Sequence, residues 1–292
     1  MRAVQIDSHG GPEVLQLREV KDAIALPGHV LVRTVASSIN PVDWKTRAWD
    51  RGSGFPMTLG WDLAGVVVES DDTLFAPGDR VVAMSAQGIT GVGAWAELVS
   101  LPASLVAHAP IRIGLAQAAA LPLAAMTAHI ALSGLGVLAG RRLLVTGAAG
   151  GVGSVMVQLA RAQGATVDAL VSRPAHEAGA LDLGAERAFH RLDALPASAY
   201  DAVFDTASVD PGPALVSGGR YASITDDPLP AIPGAESPEV YEDGAVLREM
   251  VGLVDAGSLT VRVAEYHAIA DVRTAHERFE AGGLGGKLVL LF

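Results

Sequence analysis

The 292-residue chain has no cysteine. That excludes disulfides, a thiolate nucleophile and any cysteine-built zinc site, and it is compatible with a reducing compartment. Positive charge is also scarce: 21 Lys and Arg stand against 32 Asp and Glu, for a net charge of −11 and no basic run. Nucleic acid and anionic membranes are therefore excluded as main partners. No apolar run approaches the roughly 18 residues of a membrane span. The longest apolar stretch, 115–132, is interrupted by Gln117, Pro122, Thr127 and His129 and reads as a buried helix. Residues 1–7 alternate like a strand and hold no continuous apolar core of a signal peptide, so a cytoplasmic location is expected. No tyrosine occurs before Tyr200, none of the eight histidines forms an HExxH pair, and no Gly-x-Ser-x-Gly elbow is present. Metalloprotease and serine-hydrolase chemistry thus lack their parts. What remains is ample: half the residues are apolar and only 18% charged, the composition of a globular chain long enough for two domains.

The texture changes along the chain. Short β-branched runs at 30–35, 64–68 and 80–83, punctuated by Pro27-Gly28, Pro77-Gly78-Asp79 and the Gly88 to Gly93 region, suggest a compact barrel or sandwich. From about Pro110 the pattern becomes helical over 115–135, then alternates. Strands are expected at 143–146, 166–171, 202–205, 220–224, 260–263 and 287–292. Helices are expected at 152–163, 175–183, 244–256 and 270–280. Such alternation predicts an α/β fold with a parallel sheet covered by helices on both faces. The Pro-, Asp- and Glu-rich segment 226–243 reads as an irregular connection.

The run Leu143-Leu144-Val145-Thr146-Gly147-Ala148-Ala149-Gly150-Gly151-Val152-Gly153-Ser154 carries the chemistry. A strand breaks into glycines and a helix follows, the arrangement in which the first amide N–H groups of a helix face a diphosphate. Ala148, Gly150 and Gly153 occupy the spaced positions. Gly150 lets backbone approach the phosphates and Gly153 lets helix and strand pack closely, with Gly151 and Val152 contributing amides. A purely structural glycine turn is the alternative. At the end of the next strand, Val171-Ser172-Arg173 stands where an acidic side chain would bind the ribose hydroxyl of NAD. Arg173 offers a planar fork to a 2′-phosphate and Ser172 a hydroxyl, so NADPH is the expected cofactor. Asp168 lies mid-strand, too early to reach a ribose.

Nearly the whole chain resembles the zinc-independent quinone oxidoreductase (zeta-crystallin-like) branch of the medium-chain dehydrogenase/reductases. The likeness rests on Ile39-Asn40-Pro41-Val42-Asp43-Trp44-Lys45, Gly60-Trp61-Asp62-Leu63-Ala64-Gly65-Val66-Val67, Pro77-Gly78-Asp79-Arg80-Val81, Gly93-Ala94-Trp95-Ala96-Glu97, the glycine loop, Leu183-Gly184-Ala185, Gly218-Gly219-Arg220, Ala275-His276-Glu277-Arg278 and Gly286-Lys287. It implies a GroES-like, β-rich catalytic domain over 1–112, completed by 258–292, and a Rossmann dinucleotide domain over 113–257. It also implies a homodimer, whose usual sheet-edge geometry the 226–243 segment puts in question. Zinc-dependent relatives place ligands where Asn40, Trp61 and Leu123 stand here, so no metal is expected. Without a Lewis acid, the accessible acceptor is one that delocalises its own charge, an enone or quinone.

By the same resemblance, Asn40 faces cofactor and substrate as a preorganised donor, its alternative being a backbone cap before Pro41. Lys45 supplies a proton or steadies an oxyanion, or is simply solvated. Asp43 holds the loop. Thr127 contacts the nicotinamide amide, or bonds its own helix backbone. Lys287 lies near the cofactor cleft. Asp62 reads as a remnant of a lost zinc site. The aromatic side chains of the N-terminal half suit an apolar or aromatic conjugated carbonyl substrate. The expected activity is NADPH-dependent hydride transfer to an activated C=C or quinone. The alternatives are a pathway-specific enoyl or tailoring reductase and an NADPH-binding protein of structural or regulatory role with little turnover.

Overall fold

The computed structural model describes residues 1–50, 54–225 and 228–292. In chain order the elements are β1 (Arg2–Ile6), β2 (Gln16–Glu19), β3 (His29–Ile39), α1 (Pro41–Ala48), β4 (Met57–Thr58), β5 (Asp62–Ser70), β6 (Arg80–Met84), α2 (Gln87–Thr90), β7 (Leu98–Pro102), β8 (Val106–His108), α3 (Leu115–Ala118) and α4 (Pro122–Leu135). There follow β9 (Arg142–Thr146), α5 (Gly151–Ala162), β10 (Thr166–Leu170), α6 (Glu177–Asp182), β11 (Arg187–Phe189), β12 (Tyr200–Asp205), β13 (Leu215–Ser223), α7 (Gly244–Asp255), β14 (Val263–Ala268), α8 (Val272–Glu280) and β15 (Lys287–Leu291). Single 3₁₀ turns occupy some of the connections.

Two compact units emerge: Met1–Leu123 with Tyr241–Ala256 and Val263–Phe292, and Ala124–Val240 with Gly257–Arg262. The division thus falls inside α4, eleven residues beyond the 112/113 position that the resemblance implies. Segment 241–256 joins the first unit because α7 packs on β8. A Cβ on Gly244 would lie 2.3 Å from the Ser104 carbonyl oxygen, and Asp255 accepts the amides of Ile111 (2.9 Å) and Arg112 (3.2 Å).

In the first unit, β3 is the spine of a seven-stranded sheet running β14-β15-β3-β5-β6-β8, with β7 also paired to β3. A three-stranded sheet, β2-β1-β4, accompanies it. Alternation along the strands sends Val30, Val32, Leu63, Val81, Val99 and Leu101 to one core and Ile39, Leu288 and Leu290 to another, which Leu59 and Trp95 join from the connections. Each fully buried aliphatic side chain contributes about 2 kcal/mol of transfer free energy. The strand expected at 260–263 lies instead at β14, which pairs in parallel with β15. Its residues alternate between half-buried and exposed, so no apolar run marks it.

The second unit is a five-stranded parallel sheet, β11-β10-β9-β12-β13, around Leu144, Leu170, Tyr200, Val203 and Tyr221. The α5 and α6 helices pack on it. The β12–β13 connection carries only a 3₁₀ turn, Gly212–Ala214, in place of a crossover helix. Ile232 and Ala235 of the irregular segment pack against the core there. Residues 226 and 227 lie outside the described residues, and 228–243 form no helix or strand, only a bridge that seats Glu236 on the edge strand β13. Ser223 N–H donates to the Glu236 carbonyl (2.9 Å) and Glu236 N–H to that of Tyr221 (3.0 Å).

The apolar stretch Leu115–Leu135 is long and apolar enough to cross a membrane, yet 78% of an 18-residue span within it is buried inside the protein. It breaks at residues 119–121, ahead of Pro122, because Pro cannot donate to a preceding turn.

Candidate active site

The β3 strand ends at Ile39 and α1 begins at Pro41, leaving Asn40 as an extended N-cap (φ −122°, ψ 158°). Pro41 belongs at this first helical position, where its missing N–H costs nothing, and it forces the residue before it out of the helical region. Asp43, on the same first turn, accepts the Asn40 backbone N–H at 2.7 Å through Oδ2.

Around Asn40 the first unit assembles a buried polar cluster with Asp62 at its centre. Asp62 opens β5 and is fully buried. Its Oδ2 accepts from Asn40 Nδ2 (2.9 Å), from Lys287 Nζ (3.4 Å) and from Ser38 Oγ through a short hydrogen bond. Its Oδ1 accepts the Leu123 backbone N–H at 2.7 Å, satisfying a free amide at the start of α4. Lys287 opens β15 and places its ammonium on the Ile39 carbonyl (3.3 Å) and, by another short contact, on Asn40 Oδ1. The orientation of the Asn40 carboxamide follows from these partners: only oxygen can accept from an ammonium and only nitrogen can donate to a carboxylate. One Asn40 N–H remains for a ligand. All three Lys287 donors are spent on the cluster.

Burial pushes the Asp43 carboxyl up to about 8, the Asn40 amide and the Lys287 charge only partly opposing that and the Asp62 charge adding to it. At neutral pH Asp43 is therefore a neutral acid and adds no charge to the cluster. Asp43 Oδ1 has no partner among the described residues.

At the other end of α1, buried Arg47 pairs with Glu280 (2.8 Å) and meets His276 Nδ1 at 3.3 Å on α8. Burial, reinforced by the Arg47 charge, lowers the His276 pKa to about 3, so this imidazole is a neutral packing group set edge-on against Trp95.

The first unit also carries a groove of about 840 Å³ whose walls run from Met1, Lys21 and His29 to Thr46, Trp61 and Gln87, with no side chain of the cluster lining it. Its volume suits a small-molecule site.

In the second unit the glycine loop has the geometry expected of it. Gly147 sits at φ +60°, where only glycine is comfortable, and a Cβ there would lie 2.2 Å from Thr206 Oγ1. A Cβ on Gly153 would lie 2.4 Å from the Gly147 carbonyl oxygen, so the close packing of helix on strand requires glycine. Thr206 is locked to Thr146 by N–H to Oγ1 (3.0 Å) and Oγ1 to the carbonyl (2.9 Å). Buried Asp205 accepts from Thr146, from the amides of Ala207 and Val209 and from the hydroxyls of Tyr221 and Ser223. No side chain caps the N-terminus of α5 at Gly150, and Gly150, Gly151 and Val152 are half-exposed while Ala148 and Gly153 are buried. An uncapped helix start with open amides fits a dinucleotide diphosphate.

Ser172 and Arg173 follow β10, both exposed, and no described residue pairs with Arg173. Asp168 is fully buried and held by Arg142 (3.0 Å) and Arg187 (2.6 Å), so it is committed within the sheet. Thr127 is buried in α4. Lys45 is half-buried, just over one turn beyond Asn40. The cation on Asn40 Oδ1 is Lys287.

The structure brings Asn40, Asp43 and Lys287 together and adds Asp62 and Ser38, which sequence reasoning left out of the site. The one available signal was the acid beside Trp61 in the quoted Gly60-Trp61-Asp62 motif. Positions 40 and 123, where the resemblance would put zinc ligands, both donate to Asp62. Among the described residues no three His, Cys, Asp or Glu side chains gather to hold a metal. The donor set does not fit a zinc ion.

Two family descriptions match: Alcohol dehydrogenase GroES-like domain over residues 26–111, and Zinc-binding dehydrogenase over 179–290. Among curated relatives, the mitochondrial NAD(P)H oxidoreductase RTN4IP1 of Mus musculus is 35% identical over 61% of this chain. This chain spans only half of that relative's length. The chloroplastic NADPH-dependent alkenal/one oxidoreductase of Arabidopsis thaliana is 32% identical over 89% of this chain and 70% of its own. Among solved structures, the quinone oxidoreductase of Coxiella burnetii superposes with a TM-score of 0.85 at 29% identity, covering 100% of this chain and 99% of that one.

Proposed function

The chain belongs to the quinone oxidoreductase branch of the medium-chain dehydrogenase/reductase family, and from that premise we propose that it is an NADPH-dependent, zinc-independent reductase of activated C=C bonds or quinones. The glycine loop carries this reading, with its uncapped helix start and the unpaired Arg173 after the following strand. Gly150, Gly151 and Val152 would hold the diphosphate, Ser172 and Arg173 the 2′-phosphate, and Thr127 the nicotinamide amide. When bound, NADPH supplies a hydride to the electrophilic carbon of the acceptor.

The chain's own residues handle the charge that then develops on the acceptor oxygen. Asn40 donates its remaining N–H to that oxygen. Its carboxamide is prevented from rotating by Lys287 on one side and Asp62 on the other. The buried ammonium gives the cluster a fixed positive centre, the role a metal plays elsewhere. Asp43 is the positioning group that clamps the Asn40 backbone and stays protonated at neutral pH. Lys45, with water as the alternative, returns the proton. A homodimer belongs to the reading, with a seam other than the β13 stretch that Glu236 already occupies.

Calorimetric titration tests the reading. NADPH is expected to bind at least about tenfold more tightly than NADH, and Arg173→Ala is expected to remove that preference by deleting a charge-assisted contact worth about 1.5–3 kcal/mol. Absence of NADPH binding overturns the function; a preference for NADH overturns only the role of Arg173. Tight NADPH binding with negligible turnover across enones and quinones would favour the non-catalytic alternative.

A further inference from the structure

Asp205 closes β12 and is fully buried, yet none of the groups that hold it is a cation. Its Oδ1 accepts from Thr146 Oγ1 through a short hydrogen bond and from the amides of Ala207 (3.2 Å) and Val209 (3.1 Å). Its Oδ2 accepts from the hydroxyls of Tyr221 and Ser223, both at 3.1 Å. Both oxygens act only as acceptors, the hydrogen-bonding pattern of a carboxylate. Burial, and after it the Asp205 charge, push the Tyr221 phenol up, so that hydroxyl stays a donor.

The place of this charge in the second unit is specific. The sheet order β11-β10-β9-β12-β13 changes direction between β9 and β12. A doubly wound sheet binds a dinucleotide outside the carboxyl ends of its strands at that switch point. Asp205 ends β12 there, and its partner Thr146 ends β9, immediately before Gly147. The β9–β12 ladder stops at Val145 and Phe204, and the Thr146–Asp205 bond continues it through side chains. With the 2′-phosphate on Ser172 and Arg173 after β10, the adenosine end belongs to the β9–β10–β11 half. The nicotinamide end then belongs to the β12–β13 half, where Asp205 stands at the tip of the inner strand.

The nicotinamide ring is the part of the cofactor whose charge changes. The reduced ring is neutral. Passing a hydride, one hydrogen nucleus with two electrons, to the acceptor carbon leaves the ring a cation, while the acceptor oxygen takes the negative charge and then a proton. A fixed negative charge in low-dielectric surroundings acts on that difference without touching the ring. The diphosphate is charged alike in both forms, so its repulsion by Asp205 cancels between them.

Resting on the reductase reading above, we propose that the buried charge of Asp205 sets the redox poise of the bound cofactor, favouring NADP⁺ over NADPH and so making bound NADPH the stronger hydride donor.

Asp205→Asn removes the charge and keeps the shape. Its Oδ1 still accepts from Thr146 and the two amides, and its Nδ2 donates to the Tyr221 and Ser223 hydroxyls, which are able to accept. Dissociation constants of NADP⁺ and NADPH are to be measured by calorimetric titration at one pH and one ionic strength. In wild type, NADP⁺ is expected to bind at least about fivefold more tightly than NADPH, and in Asp205→Asn that ratio is expected to fall at least about fivefold. Thr146→Val breaks the anchor of the loop and leaves the charge, so both forms are expected to weaken by the same factor. A ratio indifferent to Asp205→Asn, including an equal loss for both forms, overturns the inference and leaves the reductase reading standing. So does tighter binding of NADPH than of NADP⁺ in wild type, a comparison that decides the matter even if Asp205→Asn does not fold. If wild type binds neither form, the reductase reading fails and the inference with it.

Discussion

Replacing Lys287 with methionine removes the ammonium held in the buried cluster while keeping the length of the side chain. In the native protein the ammonium faces Asp62 at 3.4 Å and the Asn40 and Ile39 oxygens, and both Lys287 and Asp62 are buried. Without it Asp62 retains Ser38, Asn40 and the Leu123 amide but has no counter-charge. Loss of one partner of a buried pair costs about 3–5 kcal/mol. The three surviving donors hold the figure toward the lower end, and the orphaned Asn40 carbonyl adds about 1 kcal/mol. Urea unfolding read by tryptophan fluorescence is the assay, because Trp44, Trp49, Trp61 and Trp95 all lie in the first unit and report its unfolding alone. The loss is expected to be about 3–5 kcal/mol near pH 7. Asp62→Asn in the same background is expected to recover stability, with a coupling of about 2 kcal/mol or more. A cost below about 1 kcal/mol that is additive with Asp62→Asn would refute the charge assignment.

The raised Asp43 makes the folded chain keep a proton that the unfolded chain loses between about pH 4 and 8. Stability gained by Asp43→Asn over wild type should therefore grow with pH across that window, by up to about 1.4 kcal/mol per unit, and a difference that is flat or falls with pH contradicts it. His276 acts in the opposite sense: its folded pKa of about 3 lies below the ordinary value of 6.5, so its contribution is present above that value and lost as pH falls toward 3. His276→Gln should soften acid unfolding relative to wild type in that range, measured by the same fluorescence titration. At the glycine loop, Gly150→Ala has an ordinary φ of −76° and meets only the Gly147 carbonyl at 3.2 Å, so the fold should survive while NADPH affinity falls about tenfold or more. Gly153→Ala meets backbone at 2.4 Å and should cost stability as well.

The parts of this molecule that depend on short-range pattern were legible in the sequence. The glycine loop, the strands before and after it, the Asn40-Pro41-Val42-Asp43 helix start and the terminal strand at Lys287 all announce themselves within a few residues. The hub of the cluster did not. Asp62 matters because the end of β3 and the starts of β5, α4 and β15 converge on it, and Asn40 and Lys287 are separated by 247 positions. No local spacing encodes that meeting. The β14 strand was displaced from 260–263 because its side chains alternate between half-buried and exposed, without the β-branched run that marked its neighbours. The β12–β13 connection carries only a short turn, and Ile232 and Ala235 pack on the core from a segment whose composition signalled only irregularity.

The central claim is hydride transfer to a conjugated acceptor with charge held by Asn40 and its buttress rather than by a metal. Deuterium transfer tests it most directly: protein treated with a chelator is supplied with NADPH deuterated at the nicotinamide C4 and with cyclohexenedione. The prediction is deuterium on the carbon β to a carbonyl, at a rate that chelation leaves unchanged and that Asn40→Ala lowers by about a hundredfold or more. No transfer of the label, or transfer abolished by chelation and restored by zinc, would contradict it.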